Sequence, residues 1–428
     1  MARGGAGESW YRQTGGEVPP RPALAGRVEV ATCIVGGGLA GLGTALSLAE
    51  RGEPAVLLEA GRIGDGASGR NGGMASAGFT RGHGFVADRA GTATADALYR
   101  LSLDGLLLLR RRVARHGIAC GLVEGVVEAS WRHEDAALER AAAPLRALGA
   151  RLEVWPRAQL HAAYRSPRYR GGILDRDGFH LDPLALCRGL ADAAAATGTA
   201  LHEESPATRL TPAAGGWRVG TAAGEVVARR VVLCTSADGP ALAPALARAV
   251  LPIRSHIVVT APLGPRLAEA MAAPHAVYDD RLATGYYRPL PEGRLLWGGR
   301  VDALGGPRSI EAALRRDLAL VFPQLADVPF AAAWSGVMGF VRHRMPVVRP
   351  LVDGSAAEGL WAVTGFGGHG LNTTTLAGEL VASALVEGDR RWRLLDAFGL
   401  PWNGGPLGPL AAHAFYRAFQ LRDLFGRG

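Results

Sequence analysis

From Val28 the hydrophobic pattern is that of a short buried strand, with apolar positions at Val30, Cys33, Ile34 and Val35. The stretch Gly36-Gly37-Gly38-Leu39-Ala40-Gly41 follows. Apolar spacing at Leu42, Ala45, Leu46 and Ala49 then predicts a helix from about Leu39 to Arg51. Gly52 ends it, and Ala55-Val56-Leu57-Leu58 predicts a second buried strand closing on Glu59. This is a complete βαβ opening.

Further along, residues 94–148 read as helical, with a strand-like break around Leu122–Val127, and another helix is predicted over 184–197. A β-rich stretch follows, at Trp217–Val219, Glu225–Ala228 and Val231–Leu233. Strands are predicted over 253–261 and 285–301 and a helix over 310–322. The strand Leu360–Thr364 enters Gly365-Phe366-Gly367-Gly368-His369-Gly370, which feeds a helix over 373–386. The first 26 residues, rich in Gly, Pro and Arg, read as an irregular arm. Ala411–Phe425 is amphipathic, with Phe415, Phe419 and Leu424 on one side, and is expected to dock on its own body or on a twin subunit.

Each glycine of Gly36-x-Gly38-x-x-Gly41 stands where a dinucleotide site needs it. Gly36 permits the tight turn, Gly38 lets backbone approach a diphosphate, and Gly41 lets the helix pack closely on the sheet. The helix N-terminus offers free amides and a favourable dipole to the phosphates. Glu59, at the end of the second strand, is placed to accept bonds from ribose hydroxyls. The small-residue loop from Glu59 to Gly73 lets backbone run beside a large flat ligand, which favours FAD over NAD. The helix behind Gly365–Gly370 is aimed to stabilise negative charge on a flavin's pyrimidine side.

Composition changes little of this. Of 428 residues, 47 are basic and none is lysine, so the formal charge of +8 is all arginine against acid. These arginines are interspersed with Asp and Glu, so no nucleic-acid partner is expected. Without lysine there is no Schiff base to lysine and no phosphate-loop lysine. Cys33, Cys120, Cys187 and Cys234 lack the paired spacing of a metal site or dithiol, so no metal is expected. No leader is expected from the opening residues, and no apolar run of about 18 residues occurs in the sequence. A soluble, reducing, cytoplasmic protein without a membrane partner is expected.

On these residues the chain resembles the D-amino-acid oxidase superfamily of FAD-dependent oxidoreductases. It is similar to the branch holding gamma-glutamylputrescine oxidoreductases and glycine and sarcosine oxidases. The resemblance runs from about Trp10 to Gly388. It rests on Gly64–Gly73, Gly178-Phe179-His180-Leu181-Asp182-Pro183, Val231–Thr235 and Tyr287–Arg300, and on Trp334-Ser335-Gly336 with Arg344-Met345-Pro346 and Gly368-His369-Gly370. It implies an α/β fold, α+β overall: a Rossmann-like FAD-binding domain built from discontinuous segments, plus a substrate domain with a largely antiparallel sheet. The expected division is an arm at 1–27 and a cofactor domain at 28–105, 170–250 and 345–395. A substrate domain at 106–169 and 251–344 and a helical tail at 396–428 complete it.

The resemblance implies oxidation of a C–N bond in a small amine or amino acid by hydride transfer to flavin N5. The imine is then hydrolysed, and O2 or another acceptor takes the electrons, O2 giving hydrogen peroxide. Candidate cofactor contacts are Gly36, Gly38, Leu39, Ala40 and Gly41, then Glu59, Ala60 and Arg62, then Ser68, Arg70, Asn71, Gly72, Gly73 and Met74. Ala207 and Thr235 follow, and at the closing loop Gly367, Gly368, His369, Gly370, Leu371 and Asn372. Candidate catalytic residues are Tyr287, His343 and His369, with Tyr287 rather than Tyr286 expected to face the cavity and Trp297 and Trp334 weighed as pocket walls.

Four departures stand out. Where glycine-oxidase-like relatives pair an arginine with the substrate carboxylate, this chain has Val337, which favours an amine. Arg70 stands near the histidine that tethers FAD in some members, so the cofactor is expected to be non-covalent there. The lysine that activates O2 in sarcosine-oxidase relatives is missing, which leaves oxidase or dehydrogenase open. Val348 and Arg349 replace a usual glycine. An NAD(P)H-dependent FAD monooxygenase is the competing reading, disfavoured because Thr364-Gly365-Phe366 lacks the aspartate such enzymes carry. A catalytically inactive FAD-binding protein is the other.

Overall fold

Two β-sheets organise the chain, and their burial patterns tell them apart. In the computed structural model, which describes residues 6–281, 285–304, 309–351 and 359–425, the first sheet has the strand order Val347–Pro350, Leu360–Thr364, Gly224–Leu233, Gly26–Val35, Val56–Leu58, Ala200–His202. Four of its pairings are parallel, and only the edge strand Val347–Pro350 runs antiparallel to its neighbour within that order. A hairpin, Arg209–Ala213 with Gly216–Gly220, hangs on the strand Gly224–Leu233. Parallel strands are covered on both faces and read as continuous apolar runs, as Val56-Leu57-Leu58 and Leu360–Thr364 do. The helices Leu39–Ala49, Pro183–Ala196 and Gly370–Glu387 pack over one face in a single core with Thr92–Arg115.

The second sheet has the order Phe330–Val341, Val250–Thr260, Arg294–Asp302, Tyr286–Leu290, Ala276–Asp279, Val123–Ser130, Gly171–His180, Met74–Ala75. Leu152–Pro156 is added on Gly171–His180. It is antiparallel except where Ala276–Asp279 runs parallel to Val123–Ser130. Its outer face buries Val127, Leu174, Val258, Val277, Tyr287 and Trp297 under the helix Ile310–Val321. Its inner face is turned to the first sheet.

Several sequence expectations are corrected. The segment 170–180, grouped with the cofactor domain, is the strand Gly171–His180 of the second sheet. Its placement was obscured because Asp182 caps the cofactor-domain helix directly after it, accepting from the amides of Leu184 (2.8 Å) and Ala185 (2.9 Å). Residues 285–301 form two strands, turned at Pro291–Gly293 where Glu292 and Gly293 take φ of 62° and 65°. The arm is not irregular throughout: Ser9 caps a short helix, Trp10–Thr14, that buries Tyr11. The tail helix Gly408–Phe425 docks on its own chain through Tyr416, which packs with Ile253 and Phe340. No helix among the described residues is long and apolar enough to cross a membrane.

Candidate functional site

The first strand ends in a turn that only glycine fits. Gly36 has φ 113°, and a Cβ there would meet the Cys234 carbonyl oxygen at 2.6 Å. At Gly41 a Cβ would lie 1.9 Å from the Gly36 carbonyl oxygen, so the helix start rests directly on the turn. At Gly38, the helix N-cap, a Cβ would strike the Ser68 hydroxyl at 2.6 Å, and that hydroxyl accepts the Leu39 amide at 2.9 Å. Glu59 closes the cradle: its two oxygens accept the amides of Gly37 (2.6 Å) and Gly61 (2.9 Å). Burial pushes its carboxyl up, while those amides pull it back. The Thr235 hydroxyl beside the turn is buried without a protein partner.

The loop that follows is held by its backbone. Asn71 donates to the carbonyls of Ala67 (3.2 Å) and Ser68 (2.7 Å) and accepts from the Gly73 amide (2.8 Å). From outside, Tyr11 donates to Asn71 O at 2.9 Å, Arg288 to Gly72 O at 2.7 Å, and Trp334 Nε1 to Arg70 O at 2.9 Å. Arg70 itself donates to Ser335 O (2.9 Å) and to the arm carbonyls of Ala6 (3.2 Å) and Gly7. Arm, loop and second sheet are thereby one hydrogen-bonded unit.

The closing segment turns through Gly365, Gly367 and Gly368, at φ of 74°, 64° and 92°. Thr80 donates to Gly367 O at 2.9 Å. His369 Nε2 lies 3.0 Å from Ser76 O, and burial pushes the ring's pKa down. A carbonyl only accepts, so Nε2 carries the proton and the neutral ring leaves Nδ1 as an acceptor.

These pieces line one cavity of about 1390 Å³ between the sheets. That exceeds the roughly 300–1,000 Å³ of an ordinary small-ligand pocket and leaves room for a dinucleotide with substrate. The residues present fit FAD: a glycine cradle that any Cβ would fill, a cavity-lining carboxylate at the end of the second strand, and the unpartnered Thr235 hydroxyl.

Of the sequence candidates, Gly36, Gly38, Leu39, Ala40, Glu59, Ser68, Arg70, Asn71, Gly72, Met74, Thr235 and Gly367 through Leu371 line this cavity. Others do not. Gly41 and Gly73 support it through backbone packing, on Gly36 and on Leu181 O. The Arg62 guanidinium pairs with buried Glu203 (3.0 Å) and caps Val18 O, while Ala60 is exposed. Ala207 packs against the core under the first sheet, and Asn372 is buried within helix packing. Glu203 escaped the sequence reading, although it ties Arg62, the Ile63 amide (2.6 Å) and the Arg21 amide (2.8 Å) together.

Two catalytic candidates are corrected. Tyr287 faces away from the cavity: it stacks on Trp297 at 5.2 Å and 4°, edge-on to Phe322, in the outer core. Tyr286 lines the cavity, its ring lying over Gly298 and Gly72, where added Cβ atoms would meet it at 2.1 and 2.7 Å. His343 braces the tail: Nε2 is 3.2 Å from Gly399 O, and Nδ1 accepts the Met345 amide at 3.0 Å. Trp297 and Trp334 are both core residues. Along Phe330–Val341, Trp334 and Gly336 lie against the loop, and both Val337 and Met338 line the cavity. Met338 packs with Ile253, Phe340 and Tyr416, while Val337 is paired with Arg254, which also lines the cavity.

Comparison with known proteins gives a consistent result. A family model described as "DAO: FAD dependent oxidoreductase" matches residues 31–384. The chain is similar to gamma-glutamylputrescine oxidoreductase of Escherichia coli (strain K12), 32% identical over 435 residues that cover 98% of each chain. It is similar to probable oxidoreductase OrdL of Haemophilus influenzae, 30% identical over 403 residues, 92% of each. Among solved structures, glycine oxidase from Geobacillus kaustophilus matches with a TM-score of 0.70 at 23% identity, covering 87% of this chain and 99% of that one. That likeness is one of fold.

Proposed function

The chain belongs to the DAO family of FAD-dependent oxidoreductases, and on that premise we propose that it oxidises the C–N bond of a small amine or amino acid. One observation carries the reading: the glycine cradle with Glu59 and the inner face of the second sheet, bearing Tyr286, open into the same cavity. When bound, FAD supplies the redox chemistry, taking a hydride at N5 from the carbon beside a neutral amine nitrogen and passing two electrons to O2, our proposed acceptor, to give hydrogen peroxide. Water hydrolyses the resulting imine.

The chain's own residues orient and insulate. Amides at the start of Leu39–Ala49, with Ser68 beside them, would hold the diphosphate, and Glu59 would take the ribose hydroxyls. The N-terminus of Gly370–Glu387 would lend its dipole to the electron-accepting ring, and neutral His369 would add no competing charge. Arg70, spent on three backbone carbonyls, forms no tether, so FAD is held non-covalently at this position. Val337, where glycine-oxidase-like relatives carry an arginine for the substrate carboxylate, favours an amine over an α-amino acid. Four free, buried cysteines suit a reducing cytoplasm.

The purified protein's visible spectrum, followed by anaerobic addition of amines and amino acids, tests this. A flavin spectrum bleached by an amine, with peroxide formed on readmitting air, is expected. A protein that cannot take up FAD, or a flavin bleached by NADPH and by no amine, would overturn it.

A further inference from the structure

The cavity extends beyond the cradle into a lobe beneath the helix Asp135–Ala147. Its floor is a cross-strand row on the inner face of the second sheet, since directly paired residues share a face: Ile173 opposite Glu128, Glu128 opposite Tyr278, Tyr278 opposite Tyr286. Its roof and end are apolar, formed by Leu138, Ala141, Leu145 and Leu152. Glu128 projects into this lobe, where the Tyr278 hydroxyl donates to its Oε2 at 3.2 Å.

Carboxylates that are fully buried here are held differently. Glu203 holds Arg62 and two amides. Asp279 holds Arg281 through Nε (2.9 Å) and Nη2 (2.6 Å), and Asp317 holds Arg300 through two bonds of 2.7 Å. The titratable groups around Glu128 are Tyr278, His133 and Asp280. Asp280 is already occupied by the Trp131 amide (2.9 Å) and the Ser130 hydroxyl (2.5 Å). None of the groups that act electrostatically on Glu128 is an arginine. A desolvated carboxylate with one neutral donor is costly unless something else completes it, and burial accordingly pushes its carboxyl up.

The geometry points to Glu128, backed by Tyr278, as the anchor for a second cationic nitrogen of the substrate, so that the amine oxidised is one end of a diamine-like molecule whose apolar linker lies along the lobe. This rests on the amine-oxidising reading above and names its substrate class. Glu128 acts on binding and selectivity, and the reacting C–N bond lies elsewhere.

The test uses oxidised, FAD-loaded enzyme and three probes: putrescine, butylamine and 4-aminobutan-1-ol. Binding is read from the perturbation of the visible flavin spectrum, which needs no turnover. Wild type is expected to bind putrescine more tightly than either monocation by about 10- to 100-fold, the range for a hydrogen bond to a charged group. In Glu128→Gln that preference collapses toward unity. Should this variant lose FAD, Tyr278→Phe serves instead, with a preference reduced several-fold. Equal affinity for putrescine and butylamine in wild type, or a preference kept in Glu128→Gln, would overturn the assignment. A preference without flavin bleaching would defeat the amine-oxidation reading and leave the subsite standing. Bleaching by monoamines without preference would do the reverse.

Discussion

The same substitution at two glycines of one helix separates backbone packing from helix propensity. In Leu39–Ala49, Gly41 and Gly43 are both buried and both helical. Replacing either with alanine gains up to about 1 kcal/mol of intrinsic helix stability. At Gly43 the new Cβ lies 3.4 Å from Thr374 O and 3.5 Å from Thr375 Cα, which is ordinary contact. At Gly41 it lies 1.9 Å from Gly36 O, where real Cβ atoms essentially never come under 3.0 Å. Helix start and turn must separate by more than an ångström, and the amides that move are those facing the diphosphate. Overpacking of this kind costs about 1–3 kcal/mol or more, and the propensity gain offsets less than half of the upper figure. A net loss of about 1–2 kcal/mol raises the Kd for FAD about 5- to 30-fold. Titration of apoprotein by quenching of FAD fluorescence reads this directly. Gly43→Ala should bind within about twofold of wild type. FAD affinity unchanged in Gly41→Ala, or lost equally in both variants, would refute the argument from the Gly36–Gly41 contact.

Three further outcomes follow from side chains. Tyr286→Phe should change the rate or KM of anaerobic flavin reduction about 3- to 10-fold, whereas Tyr287→Phe should leave both within about twofold; the opposite ranking would show that the strand's faces are misassigned. Glu59→Gln should weaken FAD about tenfold in the same titration, because an amide cannot accept from both Gly37 and Gly61 through two oxygens; affinity equal to wild type would remove Glu59 from the cradle. His180 is buried with Nε2 2.9 Å from Pro274 O, and desolvation, helped by Arg288, lowers its pKa from 6.5 to about 4. Between those values the unfolded chain takes up a proton that the folded chain does not. Stability is therefore lost as pH falls through that window, by about 3 kcal/mol in full, and the thermal midpoint of His180→Asn should fall less steeply there than that of wild type.

The cradle was legible because its signals are local. Each glycine answers to a contact within a few residues or to one adjacent strand end, so spacing alone marked Gly36, Gly38 and Glu59. The inner face of the second sheet depends on register between distant strands, which no local pattern carries. Period-two alternation said that Tyr286 and Tyr287 face opposite ways; pairing with Gly298 and Trp297 decides which way. The glycines at 72 and 298 were the available signal, since each leaves room for the Tyr286 ring. Glu128 was missed because the strand predicted to end at Val127 continues to Ser130, carried on by pairing with Ala276–Asp279 some 150 residues away. His343 was chosen by position along the chain, and it is turned aside by its bond to Gly399 O.

The absence of lysine has a structural reading. Many of these arginines donate to backbone carbonyls rather than lie free. Arg70 bridges loop, sheet and arm; Arg288 joins Gly72 O to the Tyr11 hydroxyl; Arg62 reaches Val18 O; Arg146 reaches Leu152 O; and Arg230 reaches Leu385 O. A planar guanidinium presents five donors in fixed directions and so satisfies carbonyls on separate segments at once, which an ammonium on a flexible stem does poorly. The segments joined in this way are the ones that must stay apposed for the cavity to exist, the arm, the loop after Glu59 and the second sheet. Arginine here does the work of sheet pairing where the chain has no sheet, and the same commitment explains why a charge of +8 need not signal a polyanionic partner: at Arg70, Arg288 and Arg62 the charge is turned inward onto carbonyl oxygens.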